Sequence, residues 1–536
     1  MRIEFEFFCC IIITENPGKE GNFMNNMFCF QCQETCGNTG CTKTGVCGKT
    51  ATVSSVMDRL IFQLKLIALC RKPSHELAIF IAKSFFMTIT NTNFSEKELT
   101  MQLRRAERLT GGCQYEIDCG VHYPENEDLC SIREFITYAL KGISAYMVHA
   151  YELGHNDSAL ENFLFRALKD IAQNKNISQL FDLLNECGSA AVKAMALLDE
   201  ANTESFGSPL KTVVSTAAGN RPGILVSGHD LLDLYELLLQ TDGCGIDVYT
   251  HSEMLAAHSY PLFKKFTHLR GNYGGAWHRQ NVEFAMFNGP VLLTSNCITP
   301  VQDLYKRRIF TTGCCYYPGI CHIPDREPGK MKDFSPLIEL AKLALPPEKT
   351  DEEELQTGFA HAQLLEYIDD IIENIESGTI KRFVVMAGCD GRQKKREYYS
   401  DVASLLAPDT IILTAGCAKY RYNRLALGEI NGIPRLLDAG QCNDSYSLAV
   451  FVLKLKERMG LEDINDLPVS FDIAWYEQKA VAVLLSLLTL GFKNIRLGPT
   501  LPAFVSPYIL KQLERHFKLK SISSPHEDIA SMMKGK

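Results

Sequence analysis

The sequence predicts an α + α/β multidomain protein, in which an N-terminal helical bundle precedes two doubly wound, Rossmann-like α/β domains. Residues 51–205 show the apolar spacing of long amphipathic helices. From about residue 206, short apolar runs alternate with helical segments, which indicates parallel sheets. The linker LALPPEKTDEEE separates two such alternating regions. We therefore expect domains at 27–205, 206–357 and 358–536, preceded by a dispensable extension at 1–26.

Composition restricts the class of protein. The chain has 536 residues, 46% of them hydrophobic and 22% charged, which is ordinary for a soluble globular protein. Its net charge of −8 argues against a nucleic-acid surface, and the basic stretches RRAER and GRQKKRE are interpreted as solvated faces. No apolar stretch reaches the roughly 18 residues needed to span a membrane. The 20 cysteines, concentrated in one box and after strands, suit metal ligands in a reducing cytoplasm.

The first 26 residues do not resemble a secretory signal. Glu4 and Glu6 are incompatible with a positive N-terminal region, and no small-residue cleavage site follows the apolar stretch. Met24 and Met27 precede the first cysteine box, and either is a plausible start of the protein.

The N-terminal box FCFQCQETCGNTGCTKTGVCGK contains five cysteines: Cys29, Cys32, Cys36, Cys41 and Cys47. Its four glycines allow the backbone to wrap tightly and turn amides toward sulfur. A zinc site would more often show two CxxC pairs or histidines, so the box favours an iron–sulfur cluster.

The bundle is predicted from several long amphipathic segments. Ser95 and Glu98 form a capping box that predicts the start of one helix. Between two helical segments, GGCQYEIDCGVHYPENEDLC contains Cys113, Cys119, His122 and Cys130. Their loose spacing favours ordinary loop thiols over a metal site.

In the first alternating region, three candidate ligands each follow an apolar run: His229 in RPGILVSGHD, Glu253 in GIDVYTHSEM and Cys297 in GPVLLTSNCITP. The segments DLLDLYELLLQ and CITPVQDLYKRR are predicted as crossover helices. Cys314, Cys315 and Cys321 lie in a Tyr-, Pro- and Gly-rich loop and are not expected to be ligands. The acidic end of the linker predicts the start of a helix.

The second alternating region repeats this arrangement. Cys389, Cys417, Cys442 and Glu477 each follow an apolar run, with Lys479 two residues beyond the last. Taken singly, each of the seven residues could be a buried thiol, a helix cap or a satisfied polar group. Because ligands bind at the carboxyl ends of parallel strands, we expect all seven to converge on one metal cluster. The two regions share this rule without a fixed sequence period.

From about Met27 to its C-terminus the chain closely resembles the hybrid cluster protein (prismane) family, whose members are known as hydroxylamine reductases. The resemblance rests on MFCFQCQET, VSGHDL, SNCITP, GCDGR, QCNDSYSLAV, SFDIAWYEQKAVA and LGFKNIRLGPTLPAF. Carbon monoxide dehydrogenase has a related fold, but its nickel site is not expected from ligands this rich in oxygen.

The resemblance implies two clusters. Cys29, Cys32, Cys41 and Cys47 match the ligands of an N-terminal 4Fe–4S cluster, and Cys36 is additional to that pattern. The seven residues that follow strands match the ligands of a hybrid 4Fe–2O–2S cluster between the two α/β domains. Cys389 matches a position that carries a persulfide, and Lys479 matches a lysine beside the cluster.

The resemblance also implies an activity: reduction of hydroxylamine to ammonia and water, with electrons entering through the N-terminal cluster. His229, Glu253, Glu477 and Lys479 would be the catalytic residues. Nitric oxide reduction or protein S-nitrosylation in nitrosative-stress defence is the alternative role, and a redox sensor without turnover is a third. No NAD or flavin fingerprint is evident, so a separate reductase or small electron carrier is expected as the donor, with neither nucleic acid nor membrane as a partner.

Overall fold

The computed structural model describes residues 27–113, 126–173 and 176–536. The predicted dispensable extension at 1–26 lies outside these ranges, as do Cys119 and His122. No helix within the described ranges has the length and apolar character that crossing a membrane requires.

The predicted helical region is confirmed over the described residues. Its helices are α1 (Ala51–Cys70), α2 (His75–Met87), α3 (Glu96–Leu109), α4 (Glu127–Glu152), α5 (Ser158–Gln173) and α6 (Ile177–Phe206). The Ser95 side chain accepts a hydrogen bond from the backbone N–H of Glu98, which caps α3 as the sequence predicts. Helix α4 is buried along nearly its whole length, so it forms the centre of the bundle.

One cysteine of the bundle differs from the prediction. Cys113 was expected to be a loop thiol, but it forms a disulfide with Cys70 at the end of α1. The two residues are 43 positions apart, and only packing of α1 beside α3 brings them together. Cys130 lies within α4.

The first parallel sheet has six strands in the order β4-β3-β2-β5-β6-β7. Its region contains β1 (Thr212–Ser215), β2 (Gly223–Ser227), α7 (Leu231–Thr241), β3 (Asp247–His251), β4 (Leu269–Asn272), α8 (Gln280–Met286), β5 (Val291–Leu293), β6 (Ile309–Thr312), β7 (Cys321–Ile323) and α9 (Ser335–Lys342). Strands β2 and β3 are buried at every residue, as expected for a parallel sheet covered on both faces.

The second parallel sheet also has six strands, in the order β13-β10-β9-β14-β15-β16. The elements of this part of the chain are β8 (Glu354–Thr357), α10 (His361–Glu366), α11 (Ile368–Glu376), β9 (Arg382–Gly388), α12 (Glu397–Leu405), β10 (Thr410–Thr414), β11 (Glu429–Ile430), β12 (Ile433–Pro434), β13 (Leu436–Asp438), α13 (Ser445–Arg458), β14 (Val469–Ala474), α14 (Gln478–Thr489), β15 (Ile495–Gly498), α15 (Pro507–Phe517), β16 (Lys520–Ser521) and α16 (Pro525–Met532). In both sheets the first strand lies at the centre, with its second and third strands on one side and the later strands on the other. This is the doubly wound arrangement predicted from the sequence.

Two local predictions are wrong. The segment after Cys297 contains only a 3-10 turn at Lys306–Arg308, not a crossover helix. The backbone at the start of this segment bonds to the helical region instead, because the N–H of Ile298 donates to the carbonyl of Asn91. The acidic end of the linker leads into strand β8, which pairs antiparallel with β1, rather than into a helix.

Helix α14 joins the second sheet to the bundle, because it packs against both α4 and α6. Two glycines permit this close approach. A Cβ on Gly142 would lie 2.8 Å from the Cβ of Ala482, and a Cβ on Gly188 would overlap Thr489 and the backbone of Leu485. The bundle and the second sheet consequently share one continuous hydrophobic core.

Candidate metal centres

The seven candidate ligands of the α/β regions all lie just beyond strands. Each is within four residues of the end of β2, β3, β5, β9, β10, β13 or β14. They line one small buried cavity of about 20 Å³, together with Ser227, Gly228, Ser252, Trp277 and Asn296. The seven are His229, Glu253, Cys297, Cys389, Cys417, Cys442 and Glu477. The seven residues therefore come together in space, as the strand-end positions predict.

The equal strand orders explain the arrangement around this cavity. His229 and Cys389 follow the first strand of their sheets, and Glu253 and Cys417 follow the second. Cys442 follows the third strand of the second sheet, and the corresponding strand of the first sheet, β4, is followed by Trp277. Trp277 was not predicted from the sequence, because the residues before GNYGGAW read KKFTHLR and do not form an apolar run.

Three of the ligands are especially close together. Donor atoms of His229, Glu253 and Cys442 all lie within 4.8 Å of one another. Glu253 Oε2 also accepts a hydrogen bond from the backbone N–H of Cys442 at 3.0 Å, which fixes the carboxylate across the boundary between the sheets. The two halves of the cavity are thus held in register by the ligands themselves.

His229 is oriented by its neighbours. Its Nδ1 lies 2.6 Å from Ser295 Oγ, and its Nε2 lies 2.9 Å from Lys479 Nζ. A proton donated from Nδ1 to the serine leaves the Nε2 lone pair available, and here it accepts from the Lys479 ammonium. The same tautomer is the one in which Nε2 can bind a metal. Burial, and then the charge of Lys479, holds the pKa of His229 well below its usual value, so the imidazole is neutral.

Lys479 lies behind the cavity lining, where its ammonium group contacts three of the lining residues. Its Nζ donates to Asn296 Oδ1 at 2.9 Å and lies 3.8 Å from Glu477 Oε1. Burial lowers the pKa of Lys479, but the surrounding thiols and carboxylates, first Cys442 and then Glu477, raise it above its usual value overall. Lys479 is therefore protonated at neutral pH and is a hydrogen-bond donor.

The remaining donors are strongly desolvated. Burial raises the pKa of the Cys442 thiol to about 12, and it raises the pKa of the other three cavity thiols as well. Burial likewise raises the pKa of Glu253 and of Glu477. Six potential anions in one buried space need compensating positive charge, and bound iron would supply it. Thiolates suit sulfide-bridged iron, while imidazole and carboxylate suit oxygen-bridged iron, so this donor set fits a mixed cluster.

The N-terminal box forms a second centre. Cys29 and Cys41 pair as an antiparallel bridge, with N–H···O distances of 3.0 Å and 2.8 Å. Cys32, Cys41 and Cys47 are buried and Cys29 is half-buried, whereas Cys36 is exposed. A Cβ on Gly45 would lie 2.9 Å from Cys47 Sγ, so glycine is needed where the backbone passes this sulfur.

The spacing of these thiols disfavours zinc. Four thiolates at 2.3 Å from one zinc ion would lie only about 3.8 Å apart. Within the described residues, the thiols of the box do not form a compact single-ion group of the kind seen around His229. An iron–sulfur cluster is larger than a single ion, so its cysteine ligands lie further apart than those of zinc.

The two centres are neighbours. Cys32 of the box packs in one apolar cluster with Trp277, Tyr476 and the cavity cysteine Cys417. The backbone N–H of Gln33 donates to the carbonyl of Tyr476 at 3.0 Å. The fully buried Arg396 donates to Gln33 Oε1 at 2.8 Å and to the carbonyl of Cys389 at 3.1 Å. Short covalent and hydrogen-bonded paths therefore connect the two sets of thiols.

The cysteines that were not expected to be ligands lie away from both centres. Cys315 is buried in a hydrophobic core, Cys321 is exposed on β7, and Cys314 lines a separate cavity beside Lys83. None of the three lines the cavity around His229.

A fold of this kind, with thiols, imidazole and carboxylates gathered between two parallel sheets, defines a class of iron–sulfur proteins. Residues 27–530 match the Prismane/CO dehydrogenase family, and the chain belongs to that family.

The chain is 50% identical to the hydroxylamine reductase of Nitratidesulfovibrio vulgaris, covering 95% of this chain and 100% of the relative. It is 49% identical to that of Clostridium novyi, covering 94% and 98%. Among solved structures, carbon monoxide dehydrogenase IV of Carboxydothermus hydrogenoformans has the same fold, with a TM-score of 0.56 and 15% identity over 94% of this chain and 92% of that one.

Proposed function

We propose that this protein is a hydroxylamine reductase that uses two iron–sulfur centres. The reaction consumes two electrons and two protons: NH₂OH + 2e⁻ + 2H⁺ gives NH₃ + H₂O, with cleavage of the N–O bond. The observation that carries the proposal is the single cavity lined by four thiols, two carboxylates and one imidazole. Relatives about 50% identical over nearly the whole chain bear that name, which supports the same conclusion.

The four cysteines Cys29, Cys32, Cys41 and Cys47 are proposed to hold a 4Fe–4S cluster. The cavity is proposed to hold a hybrid 4Fe–2O–2S cluster through His229, Glu253, Cys297, Cys389, Cys417, Cys442 and Glu477. When bound, its iron supplies Lewis acidity and electrons to a small N–O substrate. Cys389 is proposed to carry a persulfide. Because burial raises the pKa of its thiol, a reactive thiolate there requires the positive charge of iron.

The protein's own groups would bind and orient the substrate. The Lys479 ammonium contacts His229 and Asn296, two residues of the cavity lining, and from this position it would donate a hydrogen bond or a proton toward the departing oxygen. Glu477 accepts a hydrogen bond from the backbone N–H of Lys479 at 2.7 Å, so it fixes the start of α14 and with it the position of the lysine. The cavity is small and its lining residues, Trp277 among them, are mostly buried, which limits access of bulk water.

Electrons are proposed to enter at the N-terminal box and to pass to the cavity through the contacts between Cys32, Gln33 and Tyr476. A small electron carrier or a separate reductase would supply them. The substrate is a small molecule, and nitric oxide is the second candidate, because its N–O group would bind the iron that the same residues hold.

The decisive experiment measures hydroxylamine reduction by the iron-loaded protein with reduced methyl viologen. One ammonia should form for every two electrons consumed. A Lys479→Met variant should retain its iron and lose most of the rate, on the order of 10²-fold, because it lacks the positioned donor. Cys314→Ser, outside both centres, should retain both iron and rate.

The same donor and assay with nitric oxide rank the two substrates. A faster and saturable reaction with nitric oxide would reassign the physiological substrate. Iron-loaded protein that reduces neither compound would overturn the enzymatic proposal in favour of a redox sensor.

A further inference from the structure

The basic segment 391–396, interpreted from the sequence as a solvated face, lies directly on the N-terminal box. The Arg392 guanidinium donates to Glu34 Oε2 at 2.8 Å and 2.7 Å, and to the carbonyl of Val46 at 3.1 Å. Gln33 Nε2 donates to Gln393 Oε1 at 2.9 Å. The outer surface of this segment and the outer surface of the box therefore form one continuous face.

That face carries exposed positive charge. Lys43 of the box and the adjacent Lys394 and Lys395 are all exposed, and the ion pairs within the described residues involve none of these three. Glu34, the carboxylate of the box, is buried and neutralised by Arg392. The exposed residues of the box include no acid, although Glu397 is exposed where the basic segment ends. The face is therefore locally positive although the net charge of the chain is −8.

The middle of the face has the features of a contact surface. Val46 is a large apolar side chain with 43% of its area exposed, and it precedes the buried thiol of Cys47. The exposed residues 36–39 and 42–44 are small, polar or neutral apart from Lys43. We call this surface, made of residues 36–48 together with 392–395, the basic face.

We propose that the basic face docks an acidic electron-transfer protein that delivers electrons to the N-terminal box. The inference rests on the proposed function, in which electrons enter at this box. Electron tunnelling falls steeply with distance, so a donor must sit over the thiols, and the basic face is the surface that covers them. Each encounter oxidises the donor by one electron and reduces the box by one, and two encounters supply one hydroxylamine.

Charge determines the kind of partner. Clustered lysines attract an acidic partner and accelerate its encounter, while a basic partner is repelled. Transient redox complexes bury little area, so a small face with a few charges around one apolar residue is sufficient. Three unpaired lysines are too few for a nucleic-acid footprint on an acidic protein.

The test reverses two charges and leaves the interior unchanged. In the variant Lys394→Glu/Lys395→Glu the exposed pair changes sign, while Arg392, which holds the box through Glu34, is retained. The matched control is Lys264→Glu/Lys265→Glu, because this pair is also exposed and also lies in a short 3-10 turn, but on another part of the chain. Both variants change the net charge by the same amount.

The probe is a plant-type ferredoxin, an acidic one-electron carrier. Its binding to the iron-loaded protein is titrated by calorimetry at low and moderate salt, and its reduction of the protein is followed by stopped flow. The Lys394/Lys395 variant should weaken binding and slow the bimolecular rate by roughly tenfold at low salt, with a smaller salt dependence. The control should stay within about twofold, and reduction by dithionite should be equal in all three proteins.

Two results would overturn the proposal: equal weakening by both variants, which would indicate only net charge, or no weakening by either. Failure of the proposed function has a different signature. In that case viologen-driven hydroxylamine reduction is absent from the unchanged protein, while calorimetry still reports whether the basic face binds ferredoxin.

Discussion

At the scale of single residues, the site depends on how neighbours orient each donor. His229 is set by Ser295 on one nitrogen and contacts Lys479 with the other. Asn296 donates to both Cys297 Sγ, at 3.2 Å, and Glu477 Oε1, at 3.4 Å, so one amide links a thiol of the first sheet to a carboxylate of the second. Substitution of such supporting groups typically costs about 10- to 100-fold in metal affinity or activity.

The N-terminal box contains buried cysteines, such as Cys41, and one exposed cysteine, Cys36. Cys41→Ser should lose the N-terminal cluster and about half of the total iron, while the absorption and electron paramagnetic resonance signals of the other cluster persist, because the two ligand sets do not overlap. Cys41 is buried and its sulfur lies 3.4 Å from the backbone N of Cys36, an interaction suited to a thiolate ligand.

Cys36→Ser is the matched control for this experiment. Cys36 is exposed, so its substitution should leave iron content and both spectra unchanged. Loss of iron in the control, or loss of both clusters from folded Cys41→Ser protein, would contradict the assignment of two separate centres.

The strand-end positions of the ligands could be predicted from the sequence, because buried parallel strands have short, strongly apolar patterns bounded by soft residues. The conformation of the segment between Cys297 and β6 could not be predicted from the sequence. Its residues have a helical pattern, but the backbone hydrogen bond from Ile298 to Asn91 in the bundle overrides it. Trp277, the disulfide partner of Cys113 and the placement of segment 391–396 on the box are all long-range contacts, and local sequence patterns do not encode them.

At the scale of elements, α14 has the greatest effect on the site. Glu477 is its N-cap and Lys479 lies in its first turn, so any movement of this helix moves both groups. Its place between α4 and α6 depends on the absence of a side chain at Gly142 and Gly188. Packing in the bundle thereby determines geometry in the cavity.

Gly188→Ala tests this coupling. The added methyl group would overlap Thr489 and the backbone of Leu485, and overpacking of this kind costs about 1–3 kcal/mol. We expect a lower melting temperature by differential scanning calorimetry and a reduced rate of hydroxylamine reduction. Gly111→Ala is the control, because the nearest atom to its Cβ is Arg108 O at 3.4 Å. Equal melting temperatures and rates for both variants would contradict the role given to α14.

Strand β14 contains a buried carboxylate that gives a pH prediction. Burial raises the pKa of Asp472 from 3.8 to about 7, with Asp528 adding to the effect and Arg496 opposing it. Because the folded-state pKa is the higher one, the stability that protonated Asp472 contributes is complete below about pH 4. It is lost as pH rises through 7.

Asp472→Asn removes this titration. The melting temperature of the variant relative to the natural protein should therefore rise between pH 5 and pH 8. The shift of the Asp472 pKa from 3.8 to about 7 corresponds to a loss of about 4 kcal/mol in the unfolding free energy of the natural protein between low and high pH. A difference in melting temperature that is constant across this pH range would show that Asp472 does not titrate there.

At the scale of the whole molecule, two sheets of the same strand order face one cavity, and each contributes part of the ligand set. The first sheet provides His229, Glu253 and Cys297, and the second provides three thiols and Glu477. The candidate metal site therefore lies at the boundary between the two α/β halves of the protein.

Removal of iron should weaken that boundary. Metal binding can contribute on the order of 10 kcal/mol to the folding of small metalloproteins. Protein stripped of iron under anaerobic conditions with a chelator should melt at least roughly 5 °C lower than the loaded protein, and proteases should cleave it faster. Cys41→Ser protein, which retains the cavity cluster, should lose less stability. Stripped protein that melts like loaded protein would indicate that the halves associate without the cluster.

The surroundings of the N-terminal box have a consequence for how the protein is made. The box is synthesised early, but Gln31 accepts from Gln478, Gln33 donates to Tyr476, and Glu34 pairs with Arg392. These partners lie more than 350 residues further along the chain, so they do not yet exist when the thiols of the box leave the ribosome. We therefore expect that iron delivery to the box follows the release of the full-length chain, and that nascent chains arrested before Arg392 carry unshielded thiols open to oxidation.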